Sequence, residues 1–169
     1  MSLFLAFLAA LGLTALLVPL VGRVGRSAGL VAHPKADRWH GRSVPHIGGA
    51  AMAVSLLTVL WLGGLLPALW PVAVASALMF ALGLADDVHP IKPATKFTGQ
   101  TLVAAGLLWQ LPPLGLTGQP VVDLLVGFLW IVGITNAMNL LDNIDGLAAG
   151  VSAIAAVFFL AALLVDGGG

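Results

Sequence analysis

The sequence predicts an all-α protein, a polytopic membrane helical bundle of about six transmembrane helices with its N-terminus outside and its polar loops in the cytoplasm. Three observations predict this. The first is composition: of 169 residues, 60% are hydrophobic and 8% charged, with mean hydropathy +1.07. A soluble domain carries about 25% charged residues. The second is a series of long apolar runs separated by short polar links. The third is the placement of positive charge. All seven basic residues fall in two connections: Arg23, Arg26, Lys35, Arg38 and Arg42 in one, Lys92 and Lys96 in the other. With six spans both connections share a side, and the positive-inside rule makes that side cytoplasmic.

Taken in order, the predicted spans are Leu3–Val21, Ile47–Leu66, Leu69–Ala85, Phe97–Leu111, Val121–Met138 and Leu147–Val165, forming one transmembrane domain over residues 1–169. A span needs about 20 residues, and the first and last fit well. The first lacks a positive n-region, and Arg23 and Arg26 follow it, so it reads as a retained span and not a signal peptide. The second and third are separated only by a hinge of Gly63, Gly64 and Pro67, with Trp61 and Trp70 beside it, as suits a membrane–water interface. The fourth is short and contains Gln100, Thr101 and Gln110. It is counted because the parity of the basic loops requires it. The links around Gly64 and over Pro112–Pro120 hold no basic residue, and Asp123 and Asp166 fall outside. There is no cysteine, so disulfides and Cys-ligated metals are excluded. No basic, aromatic-rich face suggests nucleic acid.

Two polar clusters interrupt the apolar chain on the predicted cytoplasmic side. One is Asn136, Asn139, Asp142 and Asp145, each three residues after the last. Steps of three stay near one helical stripe. The other is Asp86–Asp87, ending the third span. Two acids at a helix C-terminus oppose the helix dipole by about 0.3–1 kcal/mol each, and adjacent acids repel. A cation would relieve both, whether Lys92, Lys96 or a divalent metal. The alternative is a solvated helix end marking the membrane boundary. Oxygen ligands in small number suit Mg²⁺ or Mn²⁺, and magnesium completes its shell with water and substrate phosphates. The residues therefore point to phosphoryl-type chemistry, with a carboxylate as general base and lysine and metal stabilising a pyrophosphate-like leaving group.

The first basic loop also carries His33, His40 and His46, whose irregular spacing gives no zinc pattern. Its cations could equally serve topology and attraction to anionic lipid. Gly48–Gly49 enter the second span and permit close helix approach.

Three motifs in this order, H-G-R-S-V-P-H-I-G-G (40–49), D-D-V-H-P-I-K-P-A-T-K-F-T-G-Q (86–100) and N-A-M-N-L-L-D-N-I-D-G-L-A-A-G (136–150), resemble the polyprenyl-phosphate N-acetylhexosamine-1-phosphate transferase family. The resemblance covers essentially the whole chain and is most specific in the third motif. It implies transfer of a sugar 1-phosphate, most readily GlcNAc-1-phosphate, from a UDP-N-acetylhexosamine to a polyprenyl phosphate, with release of UMP and a requirement for Mg²⁺. It implies that Asp86 and Asp87 deprotonate or position the lipid phosphate and that Lys96 meets the pyrophosphate. Asn139 is implied as a metal contact. Asp142, Asp145, Asn136, Arg42 and His46 are implied on the substrate side, Asp145 near uracil. A multi-pass protein of the cell membrane is implied, with the bilayer and a second copy of the chain as partners.

Within the family, N-L-L-D-N-I-D-G-L-A-A-G resembles the GlcNAc-1-phosphate transferases of O-antigen, teichoic-acid or related glycopolymer synthesis more than the phospho-N-acetylmuramoyl-pentapeptide transferases. Family members are longer, with a later Asp-containing metal motif and a His-rich loop that this sequence does not hold. The chain is therefore expected to correspond to the N-terminal portion of such an enzyme. The competing reading is a non-catalytic polytopic protein, a transporter or scaffold. Against transport, no carboxylate lies mid-span and no inverted repeat is evident.

Overall fold

The computed structural model describes residues 3–27, 31–32, 44–45, 48–142, 144 and 146–166. Among these are six helices: α1 (Leu3–Ser27), α2 (Gly48–Leu62), α3 (Leu66–Val88), α4 (Pro93–Gln110), α5 (Pro120–Leu141) and α6 (Leu147–Asp166). One departure from an all-α reading is a two-residue antiparallel ladder between α1 and α2, Val31–Ala32 against Val44–Pro45.

Three helix starts have a local cause. Pro93 and Pro120 open α4 and α5, and Pro67 lies in the first turn of α3. Proline suits these positions because its missing N–H would have no intrahelical partner there. The stop of α2 is equally local. Gly64 adopts φ +70°, the Leu65 N–H donates to Leu60 O at 2.9 Å, and the Gly64 N–H donates to Trp61 O at 3.0 Å. This pair of bonds is a Schellman termination, which requires a left-handed residue at this position and favours glycine.

The predicted boundaries shift accordingly. The second span is expected to run to Leu66, but the Gly63–Gly64 turn ends α2 after 15 residues, about 22 Å of helix. The fourth span is expected from Phe97, but α4 begins at Pro93. Lys96 therefore lies in a helical first turn and not in a link. The link expected over Asn139–Gly146 is shorter, because α5 continues through Leu141 and Asp142 is its C-cap. Three stretches, Leu5–Ser27, Leu66–Val88 and Pro120–Leu141, are long and apolar enough to cross a membrane, while the apolar helices Gly48–Leu62 and Leu147–Ala162 are shorter. With Lys96, Gln100 and Gln110, α4 is the more polar helix that its sequence suggests.

Packing is serial. Each helix lies against the next in the chain, from α1 on α2 to α5 on α6. The buried positions are small or polar: Ala51, Ser55 and Val59 on α2, Ala73 and Ala75 on α3, Gln100 and Ala104 on α4, Asp123, Gly127 and Val132 on α5. On α2 and α4, and from Asp123 to Gly127 on α5, the spacing is four residues and lines one face of the helix, while Ala73 and Ala75 on α3 are two apart. Small residues let helix backbones approach, which is how helices associate where lipid removes the hydrophobic incentive. The large apolar side chains point outward instead, with Trp109 90% and Phe158 73% exposed. Such a surface suits lipid and not water.

At the opposite end of α4, Asp123 is buried in the first turn of α5. It accepts the Thr117 backbone N–H at 2.9 Å and the Thr117 hydroxyl at 2.8 Å. The carboxylate thereby ties down the connection from α4 to α5.

A candidate active site where three helices meet

The C-terminal turn of α3, the first turn of α4 and the C-terminal turn of α5 converge at one end of the bundle. Lys96 joins them. Its ammonium donates to Asp86 Oδ2 at 2.7 Å and to Asn139 Oδ1 at 3.4 Å. Asp86 and Lys96 side chains are 24% and 18% exposed, so the pair sits at the rim and not in a dry interior. The second Asp86 oxygen, Oδ1, accepts the Ile91 backbone N–H at 3.1 Å. That bond folds the short α3–α4 connection back over the helix end, which is what carries Lys96 to the carboxylate ten residues earlier.

This geometry resolves the electrostatic problem at the end of α3. The acid facing the helix dipole is neutralised by Lys96 and anchored by Ile91. Asp87, beside it, is exposed. The two acids thus differ: Asp86 has both oxygens engaged within the chain, while Asp87 faces outward. Of the two lysines considered as its cation, Lys96 is the one paired. Lys92 is the exposed N-cap of α4.

The arrangement of the asparagines differs from one continuous stripe. Asn139 reaches Lys96. Asn136, one turn deeper, donates from Nδ2 to Gln100 Oε1 at 2.9 Å and to Val132 O at 2.8 Å, so it spans α5 to α4 instead of facing the Lys96 joint. Asp142 is exposed at the C-cap of α5, where its backbone N–H donates to Met138 O at 3.0 Å. Asp145, Arg42 and His46 lie outside the described residues.

Two further contributors, Gly99 and Gln100, carry no site role in the sequence reading. Gln100 is 3% exposed and Gly99 lies where an added Cβ would sit 2.9 Å from Leu82 Cδ2. The available signal was spacing: Gln100 is four residues after Lys96, and Asn136 is three before Asn139, which stacks each pair on one helix face. Phe97 and Leu140, in contrast, are exposed.

The donor set can be tested against a hard divalent cation. Among the described residues no group of three or more His, Asp or Glu side chains gathers. A carboxylate oxygen of Asp86 and an amide oxygen of Asn139 nevertheless converge on one cation already, the Lys96 ammonium. One or two protein oxygens are the complement that magnesium takes when phosphates supply the rest. The donor type, oxygen without sulfur, is the kind magnesium takes, and in this structure the Asp86 and Asn139 oxygens face the Lys96 ammonium.

Comparison with known proteins gives a consistent picture. Residues 69–169 match the model of glycosyl transferase family 4. The decaprenyl-phosphate N-acetylglucosaminephosphotransferase of Mycolicibacterium smegmatis is 36% identical over 165 residues, covering 83% of this chain and 41% of that protein. The undecaprenyl-phosphate alpha-N-acetylglucosaminyl 1-phosphate transferase of Thermotoga maritima is 30% identical over 123 residues, covering 70% and 38%. A phospho-N-acetylmuramoyl-pentapeptide-transferase of Lactiplantibacillus plantarum is 31% identical over 156 residues, covering 77% and 49%. The chain thus spans less than half the length of each of these relatives. No solved structure matches it significantly. The family match covers the whole Asp86–Lys96–Asn139 joint and all of α4, α5 and α6, and the chain belongs to glycosyl transferase family 4.

Proposed function

We propose that the joint of α3, α4 and α5 serves transfer of N-acetylglucosamine 1-phosphate from UDP-GlcNAc to a polyprenyl phosphate at a cell membrane, in the synthesis of an envelope glycopolymer. The observation that carries this reading is the convergence of Asp86, Lys96 and Asn139, a fixed cation held by oxygens at the end of apolar helices. The names of the relatives, polyprenyl-phosphate N-acetylglucosamine phosphotransferases, support the same reading.

In this reaction an oxygen of the lipid phosphate attacks the sugar-bearing phosphorus of the donor. The new P–O bond makes a lipid-linked pyrophosphate, and the P–O bond to UMP breaks. Asp87 is the carboxylate suited to take a proton from, or orient, the attacking phosphate, because it is exposed beside the joint. Lys96 is a fixed positive charge for the pyrophosphate, and Asp86 and Ile91 hold its position. Asn139 would hold Mg²⁺ (or Mn²⁺), which would supply neutralisation of phosphate charge when bound. Asp142, with Asp145, Arg42 and His46, belongs to the donor side in this reading. The lipid's apolar tail would remain among the outward-facing side chains of the helices.

The test is direct. The full-length protein, purified in detergent with undecaprenyl phosphate, radiolabelled UDP-GlcNAc and Mg²⁺, is expected to yield lipid-extractable label and an equal amount of UMP. The similarity to a phospho-N-acetylmuramoyl-pentapeptide-transferase favours one second donor, UDP-MurNAc-pentapeptide, which runs in parallel. Label from that donor alone would move the substrate assignment. Label from neither would overturn the proposal in favour of a non-catalytic membrane protein.

A further inference from the structure

Gly99 and Gln100 lie one turn deeper into the bundle than Lys96 and are not among the residues expected to touch substrate. Their environments are specific. Gly99 approaches α3 so closely that a Cβ would meet Leu82 Cδ2 at 2.9 Å and Cδ1 at 3.3 Å. Gln100, 3% exposed, faces the other way and receives the Asn136 amide of α5 at 2.9 Å. Two consecutive residues of α4 therefore fix it to both neighbours at one level. Lys96 stands three and four residues before them, on the same side of α4. Asn139 stands three residues after Asn136 on α5, and Asp86 four after Leu82 on α3. Each of the three functional side chains is thus one turn from a fixing contact on its own helix.

We propose that Gly99, Gln100 and Asn136 are positioning residues, a lock that sets the register of α3, α4 and α5 and so brings Asp86, Lys96 and Asn139 together. Asn136 moves by this reading from a substrate contact to a register element. The physical argument is directional. Apolar packing between these helices tolerates sliding, because one methyl contact resembles the next. An amide-to-amide bond does not, since a shift of one residue separates donor from acceptor and leaves the buried Gln100 amide, 3% exposed, without its partner. The glycine contact adds to this, because a Cβ at position 99 would require the Leu82 side chain to shift. The lock rests on the reading of the joint as the active site only for its purpose. The register itself is measurable without catalysis.

The absence of cysteine makes the experiment clean. Spin labels at Phe97→Cys and Leu140→Cys, both exposed positions next to Lys96 and Asn139, report the α4–α5 distance at the site. A second pair, Trp109→Cys and Leu124→Cys, which border one groove at the far end of the same two helices, reports the fold. In detergent, the parent chain is expected to give one narrow distance for each pair. Gln100→Leu is expected to shift the site pair by about 1–2 Å or to double its width, with the far pair unchanged. The exchange Gln100→Asn with Asn136→Gln, which keeps an amide on each helix, is expected to restore the narrow distance. An unchanged site pair in Gln100→Leu overturns the lock. Equal movement of both pairs also overturns it, because that marks general loosening. A chain that holds this register but transfers no sugar phosphate would refute the proposed function and leave the lock standing.

Discussion

Lys96 Nζ lies 2.7 Å from Asp86 Oδ2, and this one contact joins the end of α3 to the start of α4. The pair does two things. It offsets the charge of a carboxylate placed against the negative end of a helix, and it holds a lysine at the level of Asn139. Lys96→Met is therefore expected to lower transfer by about 100-fold or more, the usual cost of removing one charge-stabilising donor. Its effect on stability should be smaller, about 1 kcal/mol or less, because both side chains reach solvent. Lys96→Arg is not expected to rescue turnover, since a planar guanidinium cannot replace a compact ammonium between an Asp and an Asn oxygen. Lipid-linked product formation and thermal unfolding in detergent check both statements.

The two acids at the end of α3 should separate in their effects. Asp86→Asn removes the charge facing Lys96 and weakens the bond from Ile91. It is expected to lower both melting temperature and turnover. Asp87→Asn changes an exposed side chain and is expected to leave unfolding within about 0.5 kcal/mol of the parent. Its turnover is expected to fall by about 10²–10⁴-fold if it serves as the base. Equal melting temperatures for the two variants would show that the Ile91 anchor contributes nothing.

The six helices were legible because an apolar run of helix length leaves few other structures for a chain of this composition. Their ends were less so. Hydropathy cannot see a polar first turn as helix, so Lys96 reads as link although Pro93 already signals a helix start. The cluster at Asp86 and Lys96 could be inferred as acids wanting a cation, but the choice of Lys96 over Lys92 depends on the backbone bond from Ile91, which no spacing encodes. Gln100 reads as a flaw in a weak span and is instead buried against Asn136. Asp123 reads only as an acid on the outer side. Its capture of Thr117 depends on the path of the loop, which composition does not fix.

Asp123 gives a prediction at the far end of the bundle. It accepts both the backbone N–H and the hydroxyl of Thr117, so Asp123→Ala leaves the loop amide without its acceptor. Hydrogen exchange at the Thr117 amide is expected to rise about tenfold or more, with a lower melting temperature. Transfer by folded protein should change little, because the Lys96 joint lies at the other end of α4. Thr117→Val removes the hydroxyl contacts with Asp123 and Gln119 but keeps the backbone N–H bond to Asp123, and should show a smaller increase in exchange at the residue 117 amide.

The metal assignment makes the last prediction. Asn139 offers an amide oxygen at the joint, 3.4 Å from the Lys96 ammonium. Divalent ions that prefer oxygen are expected to bind there in the presence of the nucleotide donor, whose phosphates complete the shell. Mn²⁺ is a convenient probe because free and bound ion differ in their electron paramagnetic resonance signal. Asn139→Ala is expected to weaken Mn²⁺ binding about tenfold or more, in line with the loss seen when groups around a metal are removed. Asn136→Leu should weaken it less, since that side chain bonds Gln100 and not the joint. Chelation with EDTA should abolish transfer, and added Mg²⁺ should restore it. Mn²⁺ binding that is the same in the parent and in Asn139→Ala would remove Asn139 from the metal site, whatever that variant does to turnover.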